Sequence, residues 1–387
     1  MTTQRLLAHP RLPLVAAWDA DRPAIRIWEH GDGHLRECAA VGVGSTGYAQ
    51  DVGYDRLKRT PSAAWHPDDP LLAVADTESL VAWTPSGTSP VHGVTRTEYQ
   101  REVAFSPDGR TLWLSPAEGQ DGWEHSVALE FASATTVRGP RWDTGVVAHP
   151  AGGLVCTLQS DQGATLVLFA ADTGPVLRPL RRALVLDCDG YEAPIFSSDG
   201  RHFAVRGNAY DNSLEVFEFP SLRRVLRVTL GEPSPGYPYP QEWLDAMNAW
   251  SRHNVAFGRS PRTLWVGTPE GAVIELDIDG ARVSEHEVLP GVAVTALAAT
   301  ASGELVVAGT DELLLLSVGT AGQDEVSGAA VTEFLASTVE ASVVDMDQLD
   351  LTDGTRSWQP GDLAAVTDAS EADPTWLRIQ AAVNRGT

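Results

Sequence analysis

The stretch "REVAFSPDGRTLWLSP", residues 101–116, decides how the rest of the chain is read. Two apolar runs, Val103-Ala104-Phe105 and Thr111-Leu112-Trp113-Leu114, flank a Ser-Pro-Asp-Gly turn. Branched and aromatic side chains favour strands, and Pro, Asp and Gly favour tight reversals, so the stretch predicts a β-hairpin. One hairpin constrains an architecture little. A recurring hairpin constrains it a great deal.

The turn recurs. "AHPRLPLVAAW" begins at Ala8, "AWHPDDPLLAVAD" at Ala64, "AHPAGGLVCTL" at Ala148 and "FSSDGRHFAVRG" at Phe196. Weaker copies follow as "FGRSPRTLWVGT" at Phe257 and "ATASGELVVAGT" at Ala299. The turns fall at residues 10, 67, 107, 150, 198, 259 and 301, so they are spaced by 40 to 61 residues. A third apolar run follows each copy, among them "AIRIWE", "SLVAWT", "SLEVFE" and "AVIELD", and several copies add a fourth, such as "RRVLRVTL" at 223–230. Four short strands per roughly 40–45 residues is one propeller blade, and the longer spacings are a blade plus an insertion. A pair of β-sandwiches is the alternative, and it offers no reason for so regular a signature.

On these residues the chain resembles the WD40-type β-propeller family over residues 1–320. The resemblance lies in Ser-Pro-Asp-Gly-Arg at 106–110, its echo Ser-Ser-Asp-Gly-Arg at 197–201, and Ile25-Arg26-Ile27-Trp28-Glu29. No copy ends its third strand in the family's Trp-Asp pair, so the family's His/Asp/Ser/Trp network is not carried over. The resemblance implies an all-β, seven-bladed propeller that serves as an interaction platform without chemistry of its own.

Composition narrows the function classes. The chain has 387 residues and a formal net charge of −24, and Lys58 is its single lysine. That charge argues against a general nucleic-acid backbone binder, which needs a basic face. The arginine bias points to a GC-rich bacterial genome. No apolar run approaches the ~18 residues of a membrane span, and the N-terminus lacks a signal-peptide core. Three cysteines, Cys38, Cys156 and Cys188, have no paired spacing, which fits reduced thiols in a cytoplasmic protein.

Function on a repeat scaffold gathers where the repeat is interrupted. Residues 43–61 and 231–254 interrupt it between blades, and 115–126 between the second and third strands of a blade. In a WD40-like blade all of these open on one face, the top. All seven tyrosines fall in segments assigned to it: Tyr48, Tyr54, Tyr99, Tyr191, Tyr210, Tyr237 and Tyr239. With Trp123, Trp243, Glu242 and Asp245 they make the expected partner-binding set. Tyrosine offers apolar area and a polar tip at low entropic cost, and the acidity favours a basic protein or peptide. "QEWLDAMNAW" at 241–250 predicts a short helix packed through Trp243, Met247 and Trp250.

Other motifs carry less. Gly42–Gly47 matches a dinucleotide fingerprint but opens no helix in a βαβ unit. Asp187–Glu192 starts like a calcium loop, yet Ser198 stands where its bidentate glutamate belongs. His9, His66 and His149 occupy one position in three copies, which indicates a blade-building role. No cofactor, metal or small-molecule ligand is expected. The alternative is a propeller enzyme of lactonase or hydrolase type, or a small-ligand sensor, with Asp76, Asp161, Asp211 and Asp311 around the channel.

Residues 321–387 form a mixed tail with a short helix in "VSGAAVTEFLAST", a hairpin in "SVVDMDQLDLTDGTRSW" and a helix in "EADPTWLRIQAAVNRG". Asp373 is its expected cap, and Trp376, Ile379, Gln380 and Val383 its expected stripe. Part of the tail, near 342–351, is expected to complete the last blade.

Overall fold

The 101–116 hairpin forms in the register its alternation demands, with Phe105 opposite Leu112, Ala104 opposite Trp113 and Val103 opposite Leu114. The computed structural model describes the chain except residues 1, 22–23, 43–60, 76–78, 95–99, 117–124, 143–144, 162, 173, 175, 188–189, 210, 280–281, 320–325 and 387. In the turn, Ser106 Oγ donates to Asp108 Oδ1 at 2.6 Å and accepts the Thr111 N–H at 3.0 Å. The 197–201 turn repeats this: Ser197 Oγ donates to Asp199 at 2.7 Å and accepts the His202 N–H at 3.0 Å.

Seven antiparallel sheets stand in chain order among the described residues, over 3–41, 62–90, 100–141, 147–186, 195–229, 255–287 and 296–317. The first six have four or more strands and the seventh has three. Within a sheet the middle strands are covered on both faces, which explains why "LAVA" at 72–75 and "ATLVLFAA" at 164–171 are buried at every position.

A separate apolar core joins each sheet to the next. Trp18 and Ile27 meet Trp65 and Leu72; Ala73 and Ala75 meet Phe105 and Leu112; Trp113 meets Val155 and Ala170. Phe169 and Leu184 meet Phe203 and Phe217; Val216 meets Phe257 and Leu264; Trp265 meets Leu297 and Leu305. Val15 and Ala17 meet Ala298 and Val306, so the seventh sheet packs on the first and the ring closes. Each large side chain so buried stabilises by roughly 1.5–3 kcal/mol. His30 Nδ1, 3.2 Å from Glu304 Oε2, adds a polar clasp at the closing joint.

The repeated histidines stitch neighbouring blades, as their position implied. His9 Nε2 donates to Asp69 O at 2.9 Å and His149 Nε2 to Gly200 O at 3.0 Å, each reaching the corresponding turn of the next sheet. A Cβ on Gly109 would collide with the His66 ring. In the sixth sheet Arg259 takes the part, donating to Ser302 O at 2.6 Å.

The tail corrects one expectation. Residues 350–352 do not complete the seventh sheet. They run parallel to the strand Arg182–Leu186 at the outer edge of the fourth, pairing Asp350 with Arg182 and Thr352 with Leu184. Ser357–Trp358 pairs beyond them and extends the same sheet further. The physical reason is apolar burial: Leu349 and Leu351 lose almost all their exposure against Ala183 and Val185.

Helix α1 (Gln241–Asn248) lies between the fifth and sixth sheets in sequence, and α2 (Ala329–Ala336) begins the tail. Phe334 of α2 sits 4.9 Å from the Phe169 ring and 5.1 Å from Phe219, so this helix is built into the core between the fourth and fifth sheets. The short α3 (Asp362–Ala365) and the final α4 (Thr375–Gly386) cover the outer side of the fourth sheet. Trp376, Leu377 and Ala381 are the buried face of α4, whereas Ile379 and Val383 are exposed, which shifts the expected stripe around the helix. Asp187, not Asp373, accepts the Thr375 N–H at 2.5 Å, and Asp373 instead binds Arg356 and Ser370.

Candidate functional site

The inner strands all begin on one face, the top, so residues 231–254, which lead into the inner strand Val255–Phe257, emerge there. This insertion is folded on itself. Trp243 stacks on Tyr239 with ring centroids 5.3 Å apart, Tyr237 meets Tyr239 edge-on at 6.0 Å, and the Trp243 indole donates to Glu232 O at 3.1 Å. Trp250 packs against Gly231 and the core between the fifth and sixth sheets. Asn212 ties the helix down by donating to Met247 O at 2.9 Å.

The expected partner-binding residues therefore separate. Tyr237 is 88% exposed, and Glu242 and Asp245 are exposed on the neighbouring α1. Trp243 is buried and Tyr239 half-buried, because their rings hold the insertion together. Tyr191 is a correction: it is only 7% exposed and belongs to the core between the fourth and fifth sheets, bridged to Gly207. Tyr48, Tyr54, Tyr99, Trp123 and Tyr210 lie outside the described residues.

A polar cluster that sequence reading missed lines the top of the channel. Arg5 and Glu102, from the inner strands of the first and third sheets, pair at 3.2 Å. Arg252 lies 3.8 Å from Glu192, which also accepts from Asn208 at 2.7 Å. Arg206 is buried, and its guanidinium donates to neutral acceptors: Asn212 Oδ1 at 2.7 Å, Asn254 Oδ1 at 3.3 Å, Ser251 O at 3.3 Å and the Gly207 carbonyl. Burial lowers its pKa to about 10, and burial together with Arg5 lowers that of His253 to about 3. The one signal available beforehand was an arginine ending the otherwise apolar strand "HFAVR".

Of the carboxylates considered for a channel site, Asp211 accepts from Thr229 at 3.2 Å and Asp311 is exposed, while Asp76 and the Asp161 side chain lie outside the described residues. Among the described residues no group of three or more His, Cys, Asp or Glu is placed to hold a metal ion. No described helix is long and apolar enough to cross a membrane.

Sheet order and ring closure define a β-propeller, and solved structures agree. The chain is similar to the β-propeller domain of Cps50 (Swd1) from Myceliophteria thermophila, with a TM-score of 0.55 and 12% identity over 82% of this chain and 96% of that one. It is also similar to hydrazine synthase from Kuenenia stuttgartiensis, with a TM-score of 0.58 and 13% identity over 83% of this chain and 96% of that one. No protein-family model matches the chain, and neither does any curated protein.

Proposed function

We propose that the chain is a WD40-type propeller of a bacterial cytoplasmic system, binding another protein through its top face and performing no chemistry of its own. The observation that carries this reading is the 231–250 element, which spends Trp243 and Tyr239 on its own packing and holds Tyr237 out near Glu242 and Asp245. An exposed aromatic set edge-on to Tyr239 and followed by exposed carboxylates suits a basic protein or peptide. The net charge of −24 supports the same choice of partner. Ion pairs occupying the channel mouth favour the surface over the channel as the site. Free Cys38 and Cys156 support a reducing compartment.

The test is affinity purification from the native host with the wild-type chain and a Tyr237→Ala/Glu242→Arg/Asp245→Arg variant. A protein held by the wild type and lost by the folded variant supports the reading. Equal recovery refutes the top face as the binding surface, and the absence of any specific partner refutes the scaffold role.

A further inference from the structure

Among the described residues the seventh sheet ends in an edge that the other six cover with a fourth strand. Its outer strand, Leu313–Ser317, pairs only with Glu304–Ala308 among the described residues. Gly309 donates to Glu312 O at 2.9 Å and closes the hairpin turn between them, which sets the alternation of the ladder. Leu314 and Leu316 then bond to their partners, and the N–H and C=O groups of Leu313, Leu315 and Ser317 point outward.

The side chains of this strand are half-covered on both faces. Leu313 and Leu315 pack toward Trp28 and Leu35 of the first sheet, and Leu314 and Leu316 toward the sixth. A groove of about 570 Å³ runs along the first face and one of about 490 Å³, reaching Trp265 and Val288, along the second. The Trp28 indole N–H, in the wall of the first groove, has no hydrogen-bond partner among the described residues. The surface is acidic where the strand begins. Exposed Asp311 and Glu312 line the first groove there, and Glu270 and Glu287 stand at the same end of the sixth sheet.

We propose that this edge is a strand-addition site for an extended segment of a partner protein, with alternating apolar residues and Lys or Arg at its C-terminal end. An antiparallel strand there takes the direction of the fourth strand in the other sheets, uses the three outward pairs of backbone groups, and covers the half-buried leucines on both faces. Its C-terminal end meets the acidic residues. The described tail is engaged on the fourth and fifth sheets and does not supply the strand. A second copy paired antiparallel would bring Ser317, Val318 and Gly319 to the acidic end, with no Lys or Arg among them. The site lies on the side of the ring and does not depend on the top-face reading.

Hydrogen exchange of the full chain is the first test. Fast exchange at Leu313, Leu315 and Ser317, independent of protein concentration, is expected. Slow exchange would overturn the proposal: concentration-independent protection means the chain covers its own edge, and concentration-dependent protection means a second copy does. Random linear peptides displayed on phage are then selected against the wild-type chain. Alternating apolar sequences ending in Lys or Arg are expected, and Leu315→Pro, which removes an outward N–H without touching the ladder, should weaken them by about tenfold or more. Tyr237→Ala should leave them unchanged. Should Leu315→Pro fail to fold, N-methylation of the selected peptide at alternate residues must abolish binding to the wild type. No alternating motif, or binding indifferent to both changes, overturns the site.

Discussion

His149 donates from Nε2 to the Gly200 carbonyl at 3.0 Å while its Nδ1 accepts the Ala151 N–H at 3.1 Å, so one neutral imidazole joins the turns of the fourth and fifth sheets. Gly200 has a φ of 73°, and any Cβ there would strike the His149 ring. His149→Ala should destabilise the chain by roughly 2–4 kcal/mol, from the cavity and the two orphaned backbone groups. Gly200→Ala should cost about 1–3 kcal/mol through strain. Urea unfolding of the two variants checks both values.

Burial holds the pKa of His9, His149 and His202 below the ordinary imidazole value, and that of His253 at about 3. Below about pH 6.5 the unfolded chain therefore binds protons that the native chain does not. Stability is fully present above that pH and declines as pH falls toward the folded-state values. Unfolding midpoints measured from neutral to mildly acidic pH should fall steadily, and His253→Asn should flatten the decline. A midpoint that rises on acidification contradicts this account.

Arg206 serves five acceptors at once, which a single ammonium cannot reproduce. Arg206→Lys should cost about 1–3 kcal/mol and Arg206→Ala at least as much, because buried Asn212 and Asn254 lose their donor. Equal stability of the arginine and lysine chains in urea would show that the fork geometry is not needed.

Phe334 is fully buried against Phe169 and Phe219, with the Arg182 guanidinium 5.0 Å above its ring. Phe334→Ala should cost roughly 3–5 kcal/mol. Thermal unfolding should show one transition shifted down as a whole, because the helix shares a core with two blades; a separate early transition would make the tail an independent unit.

Much of the fold was legible because its information is local. The Ser-x-Asp-Gly turns at 106–109 and 197–200 form the same hydrogen bonds, and the apolar runs around them are antiparallel strands as expected. The short helix at 241–248 was legible for the same reason; Trp243 is its buried residue, and Trp250, just beyond it, packs against the core between the fifth and sixth sheets. The site was read less well. Tyrosine content did not distinguish Tyr237, which is exposed, from Tyr191, which is core.

The repeat, the turn chemistry and the inward faces of the strands follow from the amino-acid order alone, because each depends on residues a few positions apart. Where the tail goes was settled only in three dimensions. Leu351 and Trp376 find the outer side of the fourth sheet, and Phe334 the joint between the fourth and fifth, while the seventh sheet keeps a bare edge among the described residues. Apolar spacing states that a strand or helix must bury a face; which surface receives it depends on the shape and free edges of a ring that exists only once the blades have closed.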